Sequence, residues 1–182
     1  TGMLLSSSDP VLSATTFAEL EENYYTQARY LVEGGVDVLL VETAQDILEV
    51  KAALAGFERL FAEIGRRVPV QAQVTLDTSG RMLLGTDVAS ALVTLESLGV
   101  DVIGLNCSTG PEHMREPIRI LGETATLPVS CIPNAGLPLN VDGQAVYPLE
   151  PEPFANDLYE FVTKHKISVV GGCCGTTPEH LK

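Results

Sequence analysis

The sequence predicts an α/β fold, a partial (β/α)8 TIM barrel that contains strands four to eight. Five short apolar runs, residues 36–41, 68–76, 100–105, 127–132 and 167–170, alternate with longer amphipathic stretches. Each run is β-branched or leucine-rich and nearly continuous in apolarity, as strands of a parallel sheet covered on both faces read. Polar or sulfur-bearing residues also stand at the C-terminal ends of four runs: Glu42, Asn106 with Cys107, Asn134, and Cys173 with Cys174. In a barrel, chemistry collects at those ends. An open sheet built to bind a dinucleotide would instead show a glycine-rich turn after its first strand, and none is present. Five βα units in 182 residues fall short of the roughly 250 of a typical barrel. The N-terminal strands and the last helix are therefore expected to lie outside the sequence, and residues 1–182 to be a fragment of one domain.

The elements follow in order. A helix is expected over residues 17–33, where Thr16 and Glu19 form a capping box and Gly34-Gly35 supply a stop. The second helix, over 46–64, carries Ile47, Val50, Leu54, Phe57 and Phe61 at three- and four-residue spacing, an apolar stripe for the sheet. A third is expected over 88–98 with Gly99 just past its end, a fourth over 113–124 and a fifth over 153–165. Strands alternating with helices mean βαβ units with right-handed crossovers. Thr177-Pro178, an N-cap and first-turn proline, start a further helix.

Composition narrows the partners. Hydrophobic residues make up 45% and charged residues 19%, and the formal net charge is −13. An acidic surface repels phosphate backbones and anionic lipid, so neither nucleic acid nor membrane is expected as a partner. No apolar run approaches the roughly 20 residues that span a bilayer, and Thr1-Gly2-Met3-Leu4-Leu5 lacks the pattern of a signal peptide. Four cysteines are too few for a disulfide scaffold of this length, so a reducing, cytoplasmic setting is expected.

The strongest local signal is Gly171-Gly172-Cys173-Cys174-Gly175-Thr176-Thr177-Pro178, where a strand runs into two glycines, two cysteines and a helix start. Adjacent cysteines are poorly placed to bond each other. On an irregular turn, which the glycines permit, both sulfurs can face one ion. Cys107 offers a third sulfur from another strand end. Three thiolates with one open position describe a catalytic zinc site, whereas four describe a closed structural one. Cys131 lies within its strand rather than at the loop, where a buried cysteine packs as a small hydrophobe. If it or a histidine were a fourth ligand, a non-catalytic zinc-binding module would result. His113, His165 and His180 fall on helices or at their starts and are expected at the surface.

Asn106-Cys107, then Pro133-Asn134-Ala135-Gly136-Leu137-Pro138, then GGCCGTTPEH resemble the homocysteine S-methyltransferase family, and Val36 to Thr43 resembles its fourth barrel strand. The resemblance runs from Thr1 to Lys182. Within the family, "TGMLLSSSD", "TSGRMLLGTD" and "STGPEHMREPI" look most like the N-terminal homocysteine module of the cobalamin-dependent methionine synthases. The resemblance implies a barrel in which Zn²⁺ on Cys107, Cys173 and Cys174 binds homocysteine through sulfur. The methyl group would come from methylcobalamin held by another domain, with cobalamin and folate domains in cis. A methylsulfonium compound, a betaine, or methylfolate from a fused reductase would be other donors. It also implies that Glu42 holds the substrate's amino group and that Asn134 lies near the metal, a candidate for its fourth position. Asn106 is a candidate to orient a thiolate.

Overall fold

The structure, a computed structural model, describes residues 14–182. In chain order it contains α1 (Phe17–Glu33), β1 (Leu39–Ala44), α2 (Ile47–Ile64), β2 (Val70–Val74), α3 (Val88–Ser97), β3 (Val102–Asn106) and α4 (Pro111–Thr124). Then come β4 (Val129–Ile132), β5 (Leu139–Val141), β6 (Gln144–Val146), α5 (Pro151–His165), β7 (Val169–Val170) and α6 (Pro178–Leu181). The segment "TGMLLSSSD" lies outside the described residues.

Five strands form one parallel sheet in the order β1-β2-β3-β4-β7. Sequential strands are neighbours, and each of the four crossovers contains a helix. This βα succession is the one expected of a barrel segment, and the C-terminal strand ends all open on one rim. The sequence did not suggest β5 and β6, an antiparallel hairpin inside the β4–α5 connection.

The local causes of the helices are visible. Thr16 and Glu19 form the expected capping box: the Glu19 amide donates to Thr16 Oγ1 at 3.2 Å and the Thr16 amide to Glu19 Oε2 at 2.8 Å. Asp46 caps α2 rather than belonging to it, through Leu48 N–H. The helices α4 and α5 start two residues earlier than expected, each on a proline at its first turn. Gly35 and Gly99 adopt the left-handed backbone their positions require, with φ of 90° and 73°.

One contiguous core joins Leu39, Val41, Val70, Ala72, Val74, Ile103, Leu105, Val129 and Cys131 of the sheet to the apolar stripes of the helices. Within it are Val50, Leu54, Phe57 and Phe61 of the expected α2 stripe, with Ile47 half-buried against it. The strand residues on the other face differ. Leu40, Gln71 and Val102 are in register there, as are Gln73, Gly104, Ser130 and Val169. Gln73 and Ser130 are fully buried, but Leu40 is 44% and Val169 37% exposed. The expectation of strands buried on both faces is thus corrected at β1 and β7, the two edge strands, where nothing among the described residues covers one side. That face is also partly polar: Gln71 and Gln73 both donate Nε2 to Ser130 Oγ, at 3.1 and 2.8 Å.

Candidate metal centre

The rim at the C-terminal strand ends is built from the five connections that follow the strands. After β3 the chain turns through Cys107 and Ser108, both left-handed at φ of 62° and 63°. Non-glycine residues pay roughly 1–3 kcal/mol each for such a backbone, which persists only where the surroundings impose it. Here the Cys107 amide donates to Ile132 O at 3.0 Å and Thr109 N to Cys107 O at 2.8 Å. Thr75 Oγ1 holds Asn106 O at 2.9 Å.

The β7 connection carries the cysteine pair. Cys173 N donates to Pro133 O at 2.8 Å, and Ala135 N donates to Cys174 O at 2.9 Å, which tie the pair to the loop after β4. Thr176 closes the turn, its hydroxyl donating to Cys173 O at 2.7 Å. A side chain at Gly172 would collide with Thr176, so that close approach requires glycine.

These two turns bring the three sulfurs together. Cys107 Sγ is 3.7 Å from Cys174 Sγ, Cys174 Sγ is 4.0 Å from Cys173 Sγ, and all three lie within 4.8 Å of one another. Zinc bound tetrahedrally with Zn–S of about 2.3 Å places its sulfurs about 3.8 Å apart. The residues therefore fit a metal ion without rearrangement of the turns. Burial, then a hydrogen bond and charge from Cys107, push the Cys173 thiol up to about 12. Three thiolates this close need a cation to exist together.

Cys131 is elsewhere. It is fully buried, its thiol pushed up by desolvation and directed to Met114 Sδ at 3.8 Å. It lies outside the cluster, as its place within the strand indicated. No histidine joins the cluster among the described residues. His113 and His165 are half-buried, but the surface expectation fails at His180. That side chain is 8% exposed, stands edge-on to Phe154 at 5.3 Å, and meets Leu149 O through Nε2 at 2.9 Å. The start of α6 is pressed against α5, so its inward side is covered.

Asn134 is 2% exposed, and its Oδ1 accepts the Cys174 amide at 3.2 Å. The carbonyl oxygen suggested for the metal's fourth position is here engaged in shaping the cysteine turn. Asn106 faces another way than expected. Its Oδ1 accepts Thr43 N–H at 2.8 Å and its Nδ2 donates to Thr43 Oγ1 at 2.8 Å, so its amide orients Thr43 rather than a thiolate. Thr43 is itself left-handed at φ 56° and marks an irregularity in β1 between Val41 and Ala44. Glu42, immediately before it, lies within that irregularity and is exposed.

Tyr147, which sequence reasoning did not single out, directly follows the hairpin. Its ring rests on Gly175, where any side chain would collide with Tyr147 Cβ and Cγ. The Cys174 side chain, then burial and the charges of all three cysteines, raise its phenol above the ordinary range. A groove of about 450 Å³ lies to one side, lined by residues including Gly110, His113, Arg115, Gly136 and Leu149 and by none of the cysteines.

Three comparisons bear on this site. The profile described as homocysteine S-methyltransferase matches residues 1–182. The methionine synthases of Mycobacterium tuberculosis and Mycobacterium leprae are 47% and 46% identical over 173 residues, which is 95% of this chain and 14% of each relative. The chain thus spans about one seventh of the length of those relatives. The metallated homocysteine methyltransferase MmuM of Escherichia coli superposes with a TM-score of 0.72 at 20% identity, over 93% of this chain and 51% of that one.

Proposed function

Because the chain belongs to the homocysteine S-methyltransferase family, we propose that residues 1–182 form the homocysteine-binding, zinc-carrying part of a methyltransferase barrel, within a cobalamin-dependent methionine synthase. The observation that carries this reading is the gathering of Cys107, Cys173 and Cys174 within 4.8 Å at the C-terminal rim, with Cys174 exposed. Three protein sulfurs with an accessible side are the donor set of a catalytic rather than a closed structural zinc site.

Cys107, Cys173 and Cys174 would hold Zn²⁺. When bound, the ion lowers the pKa of a coordinating thiol, so that homocysteine meets the methyl donor as the nucleophilic thiolate at neutral pH. The chain's own residues do the rest. The turns at Cys107–Ser108 and Cys173–Gly175 fix two sulfur directions before substrate arrives, and Asn134 holds the third through the Cys174 amide. Glu42 supplies a carboxylate on the same rim for the α-ammonium of the amino acid. Asn106 steers that carboxylate by fixing Thr43 next to it. The methyl donor in this reading is methylcobalamin, bound by another part of the protein, with folate chemistry in cis.

X-ray absorption of the zinc-loaded protein tests the assignment. We expect three sulfurs and one lighter ligand without homocysteine, and four sulfurs with it. Four sulfurs in both states, or no gain of sulfur with the amino acid, would refute the reading.

A further inference from the structure

His180 closes a ring of hydrogen bonds that begins and ends at Cys174. Cys174 O accepts the Ala135 amide at 2.9 Å, and Ala135 O accepts the Leu149 amide at 3.0 Å. Leu149 O meets His180 Nε2 at 2.9 Å, and His180 Nδ1 accepts the Thr177 amide at 3.1 Å. From Thr177 the chain itself leads back to Cys174. The partners fix the tautomer. A backbone amide only donates and a carbonyl only accepts, so Nδ1 carries the lone pair and Nε2 the proton. The side chain is 8% exposed and edge-on to Phe154, which leaves water little access to either contact. His180 stands at the third position of α6, where a glutamate or glutamine ordinarily closes a capping box. An ionised glutamate has no proton to donate to Leu149 O, and the imidazole has one.

We propose that His180 is a positioning residue of the metal centre: it ties the start of α6 to Leu149 and, through Leu149 and Ala135, holds the Cys174 carbonyl and so the direction of the Cys174 sulfur. The inference rests on the reading of the three cysteines as metal ligands. Cys174 is the exposed member of the three, so packing of its own side chain restrains it least. Its backbone is gripped instead. The amide is held by Asn134 Oδ1 at 3.2 Å and the carbonyl by Ala135. The Asn134 contact is direct, whereas the grip on the carbonyl is only as firm as the segment that holds Ala135 O. His180 anchors that segment to the same turn that carries the cysteine. A ligand fixed before the ion arrives loses less freedom when it binds, which raises affinity.

The test uses the intact protein and two variants. His180→Asn keeps an acceptor for the Thr177 amide and lacks the donor that reaches Leu149; His180→Phe keeps the ring against Phe154 and lacks both nitrogens. Zinc affinity is measured by competition with a chromophoric chelator, and amide hydrogen exchange is followed residue by residue. Both variants should bind zinc about three- to thirtyfold more weakly. The Ala135 and Leu149 amides should exchange faster in both, while that of Ile103 in the sheet keeps its protection. In the wild type, ¹⁵N shifts of the His180 ring should show the proton on Nε2, a reading that needs no variant. A residue that only packs α6 against α5 would lower the melting temperature and leave zinc affinity and Ala135 exchange as they are. That result, or a proton on Nδ1, would overturn the inference alone. A wild-type protein that takes up no zinc on its cysteines would overturn the metal-centre reading and this one with it.

Discussion

The backbone N–H of Cys174 donates to the side-chain oxygen of Asn134 at 3.2 Å, across 40 positions of sequence. The loop after β4 therefore sets where the exposed sulfur of the cluster stands. Asn134 is 2% exposed, so removing its oxygen leaves the Cys174 amide without this partner. Because Cys174 is exposed, the loss falls on the geometry of the cysteine turn rather than on a buried unpaired donor.

Asn134→Ala should consequently weaken zinc binding by about 10–100-fold while the protein still folds. Chelator competition gives the affinity, and far-ultraviolet circular dichroism reports the fold. Asn134→Asp keeps an acceptor in place and should recover most of the affinity. Equal losses in both variants would argue against a role through the amide.

Cys131 makes the opposite prediction. Its thiol is fully buried and raised by desolvation. In the metal-free protein a thiol reagent should titrate Cys107, Cys173 and Cys174 under native conditions and reach Cys131 only after unfolding. The pH dependence has a definite sign. Above the ordinary thiol pKa of about 8.5, the unfolded chain releases the Cys131 proton and the folded chain keeps it. The unfolded state then binds fewer protons, so this residue's contribution to stability falls as pH rises through that range. Urea unfolding at pH 8 and pH 10 should show a larger loss for wild type than for Cys131→Ala; parallel losses would refute it.

Much of this site could be read from the chain, for physical reasons that also explain what could not. The Gly171–Pro178 segment combines permissive glycines, paired sulfurs and a helix start, three local signals that agree. Cys107 was legible because a strand run ends on it. The hairpin was missed although Val141-Asp142-Gly143-Gln144 carries the Asp-Gly signal of a two-residue turn, with Asp142 and Gly143 both at positive φ. Its strands are exposed along their whole length and so lack the alternation that marks a half-buried strand. Without the hairpin, nothing in the sequence brings Tyr147 onto Gly175. His180 was misjudged for a related reason: its burial depends on Phe154 and Leu149, and no local pattern announces a contact between α5 and α6.

Gly104 tests the packing that supports the rim. It sits in β3 beside Ser130 of β4, and a Cβ there would collide with the oxygens of Ser130, Oγ and backbone. Strand backbones at their normal spacing have no room to yield. Gly104→Ala should destabilise by about 1–3 kcal/mol, the range of overpacking changes. Chemical denaturation measures it, and a change below about 0.5 kcal/mol, typical of neutral surface positions, would contradict the geometry.

The last prediction concerns how Asn106 acts. Both of its amide contacts go to Thr43, at 2.8 Å each, and Thr43 holds a left-handed backbone directly after Glu42. If Glu42 pairs with the substrate ammonium, Glu42→Gln should raise KM for homocysteine about tenfold or more, as loss of a charged partner worth roughly 1.5–3 kcal/mol requires, with zinc content unchanged. Asn106→Ala should then raise KM as well, because Thr43 loses the contacts that hold its strained conformation and the neighbouring carboxylate drifts. The two effects share one route, so in the double variant they should fall short of their sum, a coupling of about 0.5 kcal/mol or more. A thiolate-orienting Asn106 would behave differently: its loss would lower zinc affinity, and its effect on KM would add to that of Glu42→Gln. Measuring KM and zinc content on the same four proteins separates the two, since only action through Thr43 leaves the metal untouched.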